Sequence, residues 1–132
     1  MELSRRTDLA LQALRALGEG FSSADSLAGA IGTTTGYLPH VMAPLIHSGW
    51  VKSTRGPNGG YRLDTAIDAL TMRDVVVAIE GPIEATGCVL RGGPCPGNEA
   101  CALHPAWEQV KGAIDKELSR LPVSGSSGGT RQ

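Results

Sequence analysis

The chain has 132 residues and a net charge of −1, with 12 Lys and Arg against 13 Asp and Glu. That length fits one small domain with an appendage, and the near-neutral balance makes no electrostatic case for nucleic acid, so any such case must come from architecture. Two Trp, two Tyr and one Phe leave the packing to Leu, Val, Ile and Ala, which points to helices. No apolar run approaches the roughly 18 residues of a membrane span. The opening Met1-Glu-Leu-Ser-Arg-Arg6 leads into an amphipathic segment and not an apolar signal core, so a cytoplasmic protein is expected.

Residues 3–18 set Leu3, Ala10, Leu14 and Leu17 along one stripe, widened by Leu9, Leu11, Ala13 and Ala16, and Gly18 and Gly20 stop the predicted helix. Ser22 with Asp25 has the form of a capping box for a short helix through Ala30. Gly32 ends it, and Gly32-Thr-Thr-Thr35 turns tightly into a third helix from about Tyr37 to His47. Two helices joined by so short a turn form a helix-turn-helix. Pro39 suits an early turn, whereas Pro44 removes a hydrogen bond inside the helix and should kink it.

Two β-like runs, Trp50–Arg55 and Tyr61–Leu63, flank Gly56-Pro-Asn-Gly-Gly60 and predict a hairpin. A hairpin directly after a recognition helix is a wing, with Arg55 and Asn58 at its tip. Thr71 with Asp74 caps a fourth helix that Gly81-Pro82 terminates. A last helix opens on Pro105 and carries Trp107, Val110, Ile114, Leu118 and Leu121 in a stripe. That stripe is buried either against a twin helix of a second subunit or against its own domain.

The fold class is therefore mainly α: a winged helix-turn-helix domain with a β-hairpin wing, a cysteine loop and a long C-terminal dimerisation helix. The expected divisions are a reading head over 1–80, a loop over 81–102, the dimerisation helix over 103–121 and a flexible Gly/Ser-rich tail over 122–132.

All three cysteines fall in the loop, Cys88-Val-Leu-Arg-Gly-Gly-Pro-Cys95-Pro-Gly-Asn-Glu-Ala-Cys101. Three sulfurs so close can converge on one centre, one ligand short of a closed four-ligand site. A disulfide would strand an odd thiol, so metal leads over redox thiols or inert structural cysteines. With His104 the loop could make a Cys₃His zinc site, but neither spacing is the tight pair common in structural zinc sites, and an iron–sulfur cluster suits it better. No paired carboxylates, nucleophile–base set or phosphate loop accompanies the cysteines, so an enzyme is not expected.

The opening Glu2-Leu-Ser and Thr7-Asp-Leu-Ala-Leu11, the wing Val51 with Arg55-Gly-Pro-Asn-Gly-Gly-Tyr61, and the order of Cys88, Cys95 and Cys101 resemble the Rrf-type winged-helix regulators. The resemblance runs from Met1 to about Leu121. It implies a repressor that binds a palindromic operator in double-stranded DNA as a homodimer. It also implies one iron–sulfur cluster per subunit, 4Fe-4S favoured over 2Fe-2S, with nitric oxide or an oxidant as signal.

Two residues compete for the fourth ligand. Asp8, reaching the partner's cluster, resembles the nitric-oxide-sensing NsrR-like branch, and His104 in Cys101-Ala-Leu-His104 resembles the IscR-like branch. The six-residue gap from Cys88 to Cys95 departs from the commoner five. On the DNA side, Thr34 and Thr35 suit phosphate contacts at a helix start, Tyr37 and His40 face the major groove, and Arg55 with Asn58 enters the minor groove or holds its phosphates.

Overall fold

The computed structural model describes residues 3–18, 20–82 and 103–124. The elements run α1 (Arg5–Leu17), β1 (Ser22–Ser23), α2 (Ala24–Ile31), α3 (Leu38–His47), β2 (Val51–Thr54), β3 (Gly60–Leu63), a 3₁₀ turn (Ile67–Ala69), α4 (Met72–Glu80) and α5 (Leu103–Arg120).

Helix α1 is the centre of the molecule. Thr7, Leu9, Ala10, Leu11, Ala13, Leu14 and Leu17 are all buried, so more than one face is covered. Around it pack Leu27 and Ile31 of α2, Leu38, Val41, Met42 and Leu45 of α3, Val51 of β2 and Val75 of α4. Leu3, expected at the head of the stripe, precedes the helix and is exposed, because Ser4 is the N-cap and its side chain accepts the Thr7 N–H.

Helix α2 begins one residue later than its sequence suggests. Ser23, not Ser22, is the N-cap, and its hydroxyl accepts the Ser26 N–H at 3.2 Å. Ser22 and Ser23 are held instead as a short strand, pairing antiparallel with Tyr61 and Gly60. The sheet order is β1-β3-β2, so β3 is the central strand and the wing is anchored to the start of α2. Gly32 closes α2 in the left-handed region, φ 79°, as a helix C-cap favours.

The glycine pair of the wing answers a steric demand. A Cβ on Gly59 would stand 2.1 Å from the Thr54 carbonyl oxygen, and one on Gly60 would stand 2.2 Å from that of Ser22. Gly59 admits no side chain while the hairpin turns this tightly, and Gly60 admits none while β1 lies against β3.

The capping box of α4 is present in full: Thr71 Oγ1 accepts the Asp74 N–H, and Asp74 accepts the Thr71 N–H at 2.9 Å. Helix α5 packs on α4, joined by an ion pair between Arg73 and Asp115. Its stripe is divided: Trp107 is buried and Ile114 and Leu118 half-buried, while Val110 and Leu121 are exposed. Pro105 lies within its first turn and does not open it.

Pro122, Val123 and Ser124, expected at the head of a flexible tail, are fastened down. Pro122 bridges to Thr71, the Val123 N–H donates to Leu70, and the Val123 side chain is fully buried in the core. Val123 joins the core cluster that holds α1 and Leu70, and its carbonyl accepts Arg15 Nε of α1 at 3.0 Å. No helix among the described residues is long and apolar enough to cross a membrane.

Candidate nucleic-acid interface and sensor residues

Between α3 and the hairpin lies an open groove of about 600 Å³. Pro39, Ala43, Ile46 and His47 form its helix wall, spaced to share one face of α3, and Ser53, Thr54, Arg55 and Tyr61 stand on the hairpin side. No carboxylate lines it, and its charged or titratable groups are Arg55, His47 and Tyr61. An uncovered helix face beside a cationic hairpin can take up a polyanion.

Of the expected DNA-reading residues, Arg55 lines this groove, and Thr34, Thr35, Tyr37, His40 and Asn58 lie outside its lining. Thr34 and Thr35 are exposed in the turn before α3. The Thr34 hydroxyl accepts the Tyr37 N–H at 3.1 Å, so it stiffens the entry to the helix as well as facing solvent. Tyr37 is exposed and its ring lies 5.6 Å from that of His40, tilted by 35°. Arg55 and Asn58 are exposed on the hairpin. His47 was missed by sequence reasoning, because only the folded hairpin brings it into the same groove as Arg55.

Helix α3 carries a second feature that spacing partly foretells. Pro44 has no N–H, so the His40 carbonyl four residues earlier lacks its helical donor. Arg6 of α1 fills the vacancy, its Nε donating to His40 O at 2.9 Å. The hydrogen bond that Pro44 withholds is thus made by another helix.

The same turn of α1 is tied to the end of α4. Glu80 Oε2 accepts the Ser4 N–H at 2.8 Å and the Thr7 hydroxyl. Burial pushes the Glu80 carboxyl up, but the bonds from Thr7 and Ser4, with Arg6 nearby, outweigh it and hold it below its usual 4.5. Glu80 is the last residue of α4, and Gly81 and Pro82 follow it.

Asp8, the first candidate for a fourth ligand, is exposed on α1 and held only loosely. It accepts from Gln12 Nε2 at 3.0 Å and stands 4.0 Å from Arg5 Nη1. Such surface contacts are worth little, so the carboxylate can be handed to a metal at small cost. His104 is half-buried in the first turn of α5. Cys88, Cys95 and Cys101 lie outside the described residues, and among the described residues no three His, Cys, Asp or Glu side chains gather as a metal site. As a donor set, three thiolates with one carboxylate or imidazole fit an iron–sulfur cluster with one labile corner.

Solved structures share this architecture. CymR, the global cysteine regulator of B. subtilis, superposes with a TM-score of 0.77 at 27% identity, over 99% of both chains. T. potens IscR has the same fold, TM-score 0.71, at 24% identity over 100% of this chain and 93% of its own. By sequence, the HTH-type transcriptional regulator IscR of Erwinia tasmaniensis is 33% identical over 93 residues, 70% of this chain and 56% of that protein. The IscR of Vibrio campbellii is 31% identical over 92 residues, 70% of this chain and 54% of its own length. The chain thus spans little more than half of these curated relatives, which are named as transcriptional regulators and not as enzymes. The family model described as Rrf2, iron-dependent transcriptional regulator, matches residues 3–124, and with the winged helix in place the chain belongs to the Rrf2 family of transcriptional regulators.

Proposed function

We propose that the chain is a DNA-binding repressor that works as a homodimer on a palindromic operator and senses nitric oxide or redox state through an iron–sulfur cluster. The observation that carries the DNA part is the cationic, carboxylate-free groove between α3 and the wing. Two such reading heads related by a two-fold axis fit half-sites roughly 34–36 Å apart. Leu103 and Val110, exposed on α5, and Leu121 just beyond its end leave apolar surface that a twin helix would cover.

Cys88, Cys95 and Cys101 would hold the cluster, of four irons in preference to two, with Asp8 of the partner subunit's α1 as fourth ligand. A bound cluster supplies a redox-active centre open to nitric oxide at its hard carboxylate corner. Asp8 engaged in this way ties α1 to the sensor loop of the other chain. Asp8 released falls back on Gln12 and Arg5, and the two reading heads lose their register.

An IscR-like regulator with His104 as ligand is the second reading, and the IscR names of the curated relatives favour it. Oxygen-free purification decides between these and a zinc-bound module. A brown protein with stoichiometric iron and sulfide is expected, and a colourless one with stoichiometric zinc overturns the cluster. Asp8→Ala should then slow the reaction with nitric oxide and weaken operator binding, with His104→Ala changing little. The reverse ranking assigns the ligand to His104.

A further inference from the structure

We infer that Arg6 is a positioning residue for the recognition helix, and that it acts because Pro44 leaves the His40 carbonyl without a helical donor. The inference rests on the proposed reading that α3 enters DNA and α1 reports the sensor, and adds the link between them.

Three observations converge on Arg6. Its Nε donates to His40 O at 2.9 Å, across 34 residues of sequence. Its acceptor is the carbonyl that the residue four places on, Pro44, cannot serve. Its charge also contributes to holding Glu80 ionised, while Glu80 accepts from Ser4 and Thr7 of the same turn. Arg6 is therefore placed between the end of α4, which leads into the cysteine loop, and the first turn of the recognition helix. Asp8 follows two residues later on the same helix.

The consequence is mechanical. In a helix without Pro44 the His40 carbonyl is satisfied internally, and the orientation of α3 owes nothing to Arg6. Here the bond runs between helices, so a shift of the first turn of α1 must either carry α3 with it or exchange the guanidinium for water. Losing a charged, well-formed donor for solvent favours the first outcome, on the modest net scale of such a bond. His40 and Tyr37 are the side chains moved, and both are exposed at the start of α3.

A double-mutant comparison tests this, using wild type, Arg6→Ala, Pro44→Ala and the double variant. The probe is a DNA fragment selected in vitro by the wild-type protein, and affinity is measured on metal-free protein as well as loaded protein. Arg6→Ala should weaken binding about tenfold in the wild-type background, the usual scale for a lost charged hydrogen bond. In the Pro44→Ala background, where residue 44 regains an N–H, the same change should cost about twofold or less. Pro44→Ala alone should bind DNA but show a smaller change in affinity on nitric-oxide treatment.

Equal losses in both backgrounds mean that Arg6 acts elsewhere, for instance on a phosphate, and overturn the inference. So does an Arg6→Ala protein with wild-type affinity. Should Arg6→Ala fail to fold, Arg6→Gln is run through the same comparison, and the response of Pro44→Ala to nitric oxide stands alone as a check: an unchanged response also refutes the link. Arg55→Ala serves as control in every background. If it too leaves binding intact, the DNA-reading assignment itself has failed, and not merely the role of Arg6.

Discussion

Thr7 and Glu80 show how a single pair can decide the placement of a helix. Thr7 is fully buried and its hydroxyl donates to Glu80, 73 residues away. Removing the acceptor leaves that hydroxyl only the longer contact to Ser4 Oγ at 3.4 Å, so Glu80→Ala should cost about 1 kcal/mol at neutral pH, read by urea unfolding. The sign with pH follows from the depressed carboxyl. The folded state binds its proton less tightly than the unfolded chain, so this contribution is complete above the ordinary value of 4.5 and is lost as pH falls through the lowered one. Glu80→Gln should therefore flatten the acid limb of the stability curve, and an unchanged limb would exclude the latch. Local chemistry of this kind was legible only where both partners were neighbours. Thr71 with Asp74 reads directly as a capping box, whereas nothing near Thr7 announces Glu80. The sequence places the cap of α2 at Ser22, whereas Ser23 is the cap and both serines pair with β3, a contact far along the chain.

At the scale of elements, the hairpin and the recognition helix were the most readable parts, because Gly56-Pro-Asn-Gly-Gly60 carries its own steric reason. Strand β1 was invisible: two serines have no strand signature, and only the open edge of β3 makes them one. The wing assignment has a direct check. Arg55→Ala should weaken DNA binding and lower the salt dependence of the association constant by about one, as expected for a lost phosphate contact. A variant with the wild-type salt slope would remove Arg55 from the interface. The missing donor of Pro44 was foreseeable, but its replacement by Arg6 was not, since guanidinium reach depends on how α1 crosses α3.

On the whole molecule, α5 stands half committed. Trp107 and the Arg73–Asp115 pair bind it to its own chain, yet Val110 is 45% and Leu121 50% exposed. Val110→Glu should shift the protein from dimer toward monomer in light scattering while leaving the melting temperature of the monomer nearly unchanged. A dimer of wild-type strength would move the interface off this face. The cysteine loop is read from spacing and composition alone and lies outside the described residues, and its ligation is a matter for the spectroscopy proposed above. Val123 has one more consequence, for synthesis at the ribosome. The core closes around α1, but one of its buried side chains, Val123, is made long after that helix. A nascent chain paused between α1 and that residue carries an unsealed interior, and would be expected to recruit chaperones until Val123 has emerged.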